Sequence, residues 1–113
     1  MSTPDRAAIA CLEKLDATFF KALGEPARVA LLRALILTQR ADVGTLAQMV
    51  PQDRSVVTRH LQVLERAKMV RSEVEGRHTF YAIDGEGVLS QLKELMALFE
   101  SLGSVCCPVP KRN

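Results

Sequence analysis

The chain has 113 residues, a net charge of +2 and 48% hydrophobic residues, which are the proportions of one globular domain and not of a disordered chain. No apolar run reaches the ~20 residues that a membrane span needs, and the polar first residues lack the apolar stretch of a signal peptide. The 3 cysteines are an odd number, and a reducing compartment keeps thiols free, so a disulfide scaffold is excluded. We expect a single cytoplasmic domain over residues 1–113 without a membrane partner.

The first predicted elements are helices. Thr3 can cap a helix that has Pro4 at its first position and that ends at Gly24. The apolar residues of this helix recur at helical spacing: Ala8, Leu12, Leu15, Phe19, Ala22 and Leu23. Pro26 opens the next helix. We expect its apolar face to comprise Val29, Leu32, Leu35 and Ile36, with Leu31 beside it.

Two shorter elements follow a polar loop or short strand. Thr45 and Gln48 form the pattern of a capping box at the start of a short helix that Pro51 ends. Asp53 can cap the next helix, which we predict over residues 53–68. Its buried side reads Val57, Leu61 and Leu64. The tight polar turn between the two helices indicates a helix-turn-helix.

After the helix-turn-helix, the period of the hydrophobic pattern changes to two. Residues 70–83 alternate in type on either side of a turn at Glu75 and Gly76, which predicts a β-hairpin. A last helix is predicted over residues 88–102, and its apolar residues are Val88, Leu92, Leu95, Phe99 and Leu102. Their spacing of four, three, four and three is typical of a helix that packs along another helix. The predicted fold is therefore mainly α with a β-hairpin wing, a winged helix-turn-helix.

The outward face of the helix over residues 53–68 carries side chains that can hydrogen-bond and none that is acidic. We call these six residues the reading face: Arg54, Ser55, Thr58, Arg59, Gln62 and Arg66. Such side chains contact phosphates and base edges in the major groove of DNA, although an ordinary solvated helix face has a similar composition. The hairpin favours DNA, because it brings Arg77 and His78 towards an adjacent groove or the backbone. Glu73 and Glu75 disfavour contact between this wing and phosphates.

The charge of this region favours a dimer. Six Lys/Arg against four Asp/Glu over residues 51–83 leave a net charge of only +2. One copy would therefore bind DNA weakly, whereas a dimer presents two reading helices to a pseudo-palindrome. An enzyme is disfavoured, because the sequence lacks a Cys-x-x-Cys pair, a Gly-rich phosphate loop and a Ser/His/Asp set. A winged helix that binds protein is the other alternative, and the acid-free reading face argues against it.

These segments together resemble the ArsR/SmtB-family repressors. Residues 20–28 are similar to that family's F-K-A-L-S-D-P-T-R, and residues 55–64 to its recognition helix, S-x-V-S-R-H-L-x-V-L. Residues 67–70 and 75–81 match its A-G-L-V and its wing, so the similarity covers roughly residues 16–84 in one unbroken order. The resemblance implies a homodimeric winged helix-turn-helix repressor whose first and last helices form the dimer interface. It also implies an inducer, usually a thiophilic or divalent metal ion, that releases the operator.

The chain departs from the family at two of its inducer sites. Asp42 and Gly44 stand where the arsenic-sensing founders have a Cys-x-Cys pair. The last helix offers Glu94 and Glu100 but no histidine, whereas the zinc sensors have an Asp/His/Glu set there. An inducer of this chain must therefore bind somewhere else.

The cysteines are the predicted alternative. Cys106 extends the apolar seam of the last helix, Cys107 adjoins it in the tail over residues 103–113, and Cys11 lies on the first helix. Some family members bind arsenic through a cysteine pair in this C-terminal region. Thiolates select soft ions: three suit As(III), and an organoarsenical needs two. We therefore predict Cys106, Cys107 and, as a third ligand, Cys11 for an arsenical inducer, with no constitutive cofactor. A redox or persulfide switch, a sensor of Cd(II), Pb(II) or Hg(II), and a merely buried Cys11 remain alternatives.

Overall fold

The computed structural model describes residues 6–102, so the predicted cap at Thr3 and the tail over residues 103–113 lie outside the described residues. Within that range the chain forms six helices and three strands. In chain order they are α1 (Arg6–Leu15), α2 (Thr18–Leu23), α3 (Pro26–Thr38), β1 (Ala41–Asp42), α4 (Val43–Met49), α5 (Arg54–Arg66), β2 (Val70–Glu75), β3 (His78–Ile83) and α6 (Gly85–Leu102). The fold is mainly helical with one antiparallel sheet, as predicted.

The segment predicted as one first helix is two helices. α1 ends at Leu15 and α2 begins at Thr18, because Ala17 has an extended backbone with φ −77° and ψ 164°. The prediction of one continuous helix is therefore wrong, although the apolar spacing on which it is based continues across the break. The break has a packing consequence: Phe19 on α2 is buried in the core, whereas Leu12 on α1 is exposed.

The apolar face predicted for α3 is wrong in part. Leu35 and Leu31 are buried, but Val29 and Ile36 are exposed. The buried residues of α3 are Ala27, Leu31, Ala34 and Leu35. Apolar residues surround most of this helix, so their spacing alone does not select the side that meets the core.

α4 and α5 form the helix-turn-helix. Asp42 caps α4, because its Oδ1 accepts the backbone N–H of Thr45 at 2.9 Å. The predicted capping box at Thr45 is therefore wrong, and Thr45 lies in the first turn. Asp53 caps α5 as predicted, and its Oδ1 accepts the N–H of Val56 at 3.3 Å. α5 ends two residues before the predicted boundary, since Lys68 has a left-handed backbone with φ 60°.

The three strands form a sheet in the order β1-β3-β2, with both pairs antiparallel. β2 and β3 make the predicted hairpin, in which Val70 pairs with Ile83 and Glu75 with His78. Gly76 takes the left-handed φ of 62° that the tight turn needs. β1 pairs with β3, so β1 and β2 are the two edges of the sheet.

The core lies between helices α2 to α5 and the sheet. Its largest fully buried side chains are Phe19, Leu31, Leu35, Leu46, Val57, Leu61, Leu64 and Val70. Burial of a Leu or Phe side chain contributes about 1.5–3 kcal/mol, so this cluster holds α5 against the rest of the domain. The predicted buried side of α5 is thereby confirmed.

α6 packs along α1 and begins three residues earlier than predicted. The Asp84 carboxylate accepts the N–H of Gly87, in the first turn of α6, at 2.9 Å. Lys14 Nζ on α1 lies 3.0 Å from Glu94 Oε2 on α6. Leu89, Leu92 and Met96 on α6 and Ile9, Leu12 and Leu15 on α1 are exposed apolar residues. Over the described residues, no helix has both the length and the apolar character needed to span a membrane.

Candidate nucleic-acid interface

The structure brings the reading face together on the solvent side of α5. Five of its six members are exposed: Arg54, Ser55, Arg59, Gln62 and Arg66. Thr58 is half-buried. The reading face points to solvent because Val57, Leu61 and Leu64 anchor the opposite side of α5 in the core, where each is 0% exposed.

The side chains of the reading face differ in whether they already have a hydrogen-bond partner within the domain. The hydroxyl of Thr58 donates to the carbonyl of Arg54 at 3.0 Å, and the hydroxyl of Ser55 donates to Asp53 Oδ1 at 3.2 Å. Among residues 6–102, the side chains of Arg59 and Gln62 make no hydrogen bond or ion pair. The guanidinium and amide groups of Arg59 and Gln62 are therefore available to a ligand, whereas the two hydroxyls present mainly their lone pairs.

The wing places Arg77 and His78 at the exposed tip of the hairpin, as the sequence predicts. The Glu75 carboxylate forms an ion pair with Arg40. The guanidinium carbon of Arg40 also lies 3.9 Å from the centroid of the Phe80 ring. The pairing neutralises one of the two acidic groups that disfavour contact between the wing and DNA.

Sequence reasoning missed Arg40. Arg40 stands in the polar segment before β1, and its partner Glu75 is distant along the chain. No local pattern links two residues that meet only when β1 joins the hairpin. The one available signal was a single cation beside a short predicted strand.

Asp42 joins the helix-turn-helix to the wing. Its Oδ2 lies 3.3 Å from Nδ1 of His78, while its Oδ1 caps α4. Hydrogen bonds from the side chain and then the backbone of Thr45 lower the pKa of the Asp42 carboxyl below its ordinary value of 3.8. The fold thus favours the ionised carboxylate. The stabilisation that the Thr45 hydrogen bonds give is complete above the ordinary pKa of the carboxyl and is lost as the pH falls through the lowered pKa of Asp42.

Residues 6–102 contain no group of three or more His, Cys, Asp or Glu side chains that could hold a metal ion. Cys11 is on α1 and only 4% exposed. Cys106 and Cys107 lie outside the described residues. Two positions that correspond to family inducer sites have structural contacts here, since Asp42 caps α4 and Glu94 pairs with Lys14.

Comparisons with known proteins agree on the kind of protein. No family model matches the chain. The solved structure of a possible transcriptional regulator for arsenical resistance is 34% identical, with a TM-score of 0.62, over 76% of this chain and 84% of that one. That of an ArsR family transcriptional regulator is 31% identical, with a TM-score of 0.59, over 80% of this chain and 94% of that one.

A curated relative adds to this agreement. An uncharacterised HTH-type transcriptional regulator of Methanocaldococcus jannaschii is 29% identical over 93 residues, which are 80% of this chain and all of that protein. A homodimeric winged helix-turn-helix DNA-binding domain from Mycobacterium bovis is 23% identical over 92% of this chain and 94% of that one, with a TM-score of 0.62. At that identity the likeness concerns the fold alone. These similar proteins are transcriptional regulators and not enzymes.

Proposed function

The chain belongs to the ArsR family of transcriptional regulators, and we propose that it is a cytoplasmic repressor that binds operator DNA as a homodimer until a thiophilic inducer releases it. The observation that carries the proposal is the reading face on α5. Arg59 and Gln62 stand exposed there with polar groups that no described neighbour engages. Arginine matches guanine and glutamine matches adenine in the major groove, so the pair can read base edges.

The remaining predicted contacts surround this pair. Arg54, Ser55 and Thr58 lie towards the start of α5, where hydroxyl and guanidinium groups suit phosphates. The exposure of Arg77 at the wing tip supports its proposed contact with the DNA backbone or with a minor groove beside α5. A homodimer would present two copies of this arrangement to the half-sites of a pseudo-palindromic operator.

Replacing Arg59 with alanine tests the DNA interface. We expect operator binding to weaken by ~1–3 kcal/mol, because a base contact is lost while the core side of α5 is unchanged. Fluorescence anisotropy of a labelled operator at several stated salt concentrations measures the change, since DNA affinity falls steeply as salt rises.

Arg33→Ala is the matched control for this experiment. Arg33 is an exposed arginine on α3, so its removal changes the net charge equally but leaves the reading face intact. Equal weakening by the two variants would mean that Arg59 contributes only its charge. If Arg59→Ala binds the operator as tightly as the wild type, α5 is not part of the interface. If the wild-type protein shows no salt-dependent binding to the operator DNA, a protein partner is favoured over DNA.

Trivalent arsenic is the inducer that the chemistry supports best. Cys106 and Cys107 are adjacent in sequence, and As(III) prefers sulfur ligands. The 34% identical solved structure is that of a possible transcriptional regulator for arsenical resistance. Asp42 and Gly44 replace the Cys-x-Cys pair of the founders, which leaves Cys106, Cys107 and Cys11 as the thiols. An ion that these thiolates hold would favour one packing of α1 and α6 in the homodimer. The spacing of the two reading helices would then change, and half-site recognition requires a fixed spacing.

Cysteine variants test the inducer site. We expect Cys106→Ser/Cys107→Ser to retain operator binding but to lose release by arsenite and by phenylarsenite, because both arsenicals need the thiolate pair. Cys11→Ser should lose the response to arsenite and keep that to the organoarsenical, if three thiolates hold the inorganic ion and two the organic one. Anisotropy of the operator complex, titrated with each arsenical under reducing conditions, measures release.

Two other results would reassign the inducer. A double cysteine variant that still responds to every arsenical would show that the thiolates of Cys106 and Cys107 are not the ligands. Release of the wild type by an oxidant or a persulfide donor, with no response to arsenicals, would make the cysteine pair a redox switch. Parallel titrations with Cd(II), Pb(II) and Hg(II) separate arsenic from the other thiophilic ions.

A further inference from the structure

A single arginine side chain connects helices α2 and α3 to the recognition helix α5. Nε of Arg28, on α3, donates to the carbonyl of Ala22 at 2.8 Å, and an Nη atom donates to the carbonyl of Lys21 at 3.2 Å. The other Nη atom lies 3.3 Å from Nδ1 of His60 on α5. The Arg28 guanidinium thus ties the last turn of α2 to the flank of α5.

The contacts on α2 are of the kind that fix a side chain firmly. The last carbonyls of a helix have no partner within it, and they carry its partial negative charge. The Lys21 carbonyl also accepts the N–H of the capping residue Gly24 at 3.2 Å. A guanidinium that donates to two such carbonyls is held by charge and by geometry together. Arg28 is therefore anchored on α2, and its contact with His60 restrains α5.

His60 receives this contact at one border of the buried stripe of α5. At the other border, the Glu65 carboxylate accepts the hydroxyl of Ser72 on β2 at 2.6 Å. With 3.6 residues per turn, His60 and Glu65 lie about 140° apart around the helix. The buried side chains Val57, Leu61 and Leu64 stand between them. α5 is thus tied on both flanks, to α2 and α3 on one side and to the wing on the other.

We propose that Arg28 is a positioning residue for operator recognition, which through His60 fixes the rotation of α5 about its own axis. This inference rests on the proposed function, because it assigns Arg28 to the same DNA interface. Apolar contacts alone are non-directional and tolerate a small rotation. A rotation of about 10° moves a side-chain end at a radius of about 6 Å by about 1 Å. That displacement is enough to lose a base contact of about 2.9 Å.

Substitutions at both ends of the contact test this role. His60→Leu removes the acceptor and leaves Arg28 anchored on α2, and Arg28→Met removes the donors but keeps most of the aliphatic stem. We expect each variant to weaken operator binding about tenfold, and the double variant to bind no more weakly than either, because all three lose the same contact. His60→Asn, whose amide oxygen can stand near the position of Nδ1, should bind the operator nearly as well as the wild type.

Three further measurements separate positioning from folding and from charge. Non-specific duplex DNA should bind every variant as the wild type does, because phosphate contacts are less dependent on the rotation of α5. Circular dichroism melting should show that the His60→Leu domain is folded at the assay temperature. Arg33→Met, on the same helix but with no hydrogen bond to α5 among residues 6–102, should keep full operator affinity.

Several results would overturn the inference. A folded His60→Leu protein with unchanged operator affinity would show that the contact does not position α5, and so would additive losses from the two single variants. Equal weakening of operator and non-specific binding would assign Arg28 to phosphate binding or stability instead. Failure of the proposed function looks different, because the wild-type protein would then bind no operator at all.

Discussion

Replacing Met96 with glutamate should convert the proposed homodimer into monomers and strongly weaken operator binding. Met96 is 63% exposed on α6, beside the exposed apolar residues Leu89 and Leu92. A second copy of the chain is the partner expected to cover this face. A charge buried there without a partner would oppose association. A monomer reads one half-site, so we expect the affinity for the full operator to fall by about 10²–10⁴-fold.

Ala97→Glu is the matched control for this experiment. Ala97 follows Met96 directly and is also exposed, but it points about 100° further round α6. Sedimentation equilibrium and operator binding of both variants measure the effect. If Met96→Glu stays dimeric, the exposed apolar residues belong to another contact. Leu95 and Phe99, to which the sequence pattern assigns the same interface, are half-buried within one chain, so charges there would disturb folding together with assembly.

Replacing Gly87 with alanine should destabilise the domain, although alanine is the better helix former. A Cβ at Gly87 would overlap the carbonyl oxygen of Lys68 and stand 2.8 Å from the Asp84 carboxylate. Lys68 is held in a left-handed conformation between α5 and β2, so its carbonyl cannot yield without moving that connection. We expect a loss of about 1–3 kcal/mol in the free energy of unfolding, as in other overpacked sites.

Gly85→Ala controls for helix propensity. Gly85 is also in the first turn of α6, and a Cβ there would meet nothing within 4 Å. We expect this variant to be as stable as the wild type or more stable, by up to about 1 kcal/mol. Thermal and urea unfolding of both variants measure the difference. Stabilisation by both would contradict the close approach of α6 to the connection between α5 and β2.

The sequence predicts α5 and the wing well because their signals are local. Asp53 stands at the start of an amphipathic pattern with three buried positions, and the turn at Gly76 fixes the register of the two alternating strands. The break between α1 and α2 has no such signal, because the apolar spacing continues across Asp16 and Ala17. The two sides of the break differ only in packing, since Phe19 on α2 is buried in the core and Leu12 on α1 is exposed.

The contacts that hold the candidate site in place escape prediction for a different reason. Arg28 and His60 are 32 residues apart in sequence, and Arg40 meets Glu75 only when β1 joins the sheet. A single sequence shows which residues can donate or accept, but not which of them the fold makes neighbours. The reading face is predictable because one helix supplies all of it, whereas its lateral supports come from three other elements, α2, α3 and β2.

The edges of the sheet also affect how copies of the protein meet in concentrated solution. β2 is an outer strand with five exposed residues, including Val74 at 71%, and a bare edge of this kind can recruit strands from other molecules into aggregates. Arg71, Glu73 and Glu75 place a charged side chain at every second position of this strand, and charged side chains oppose such pairing. The opposite edge, β1, is only two residues long and offers little template. These features disfavour polymerisation of the wing through its strands. We therefore expect two copies of the chain to associate through the helices α1 and α6.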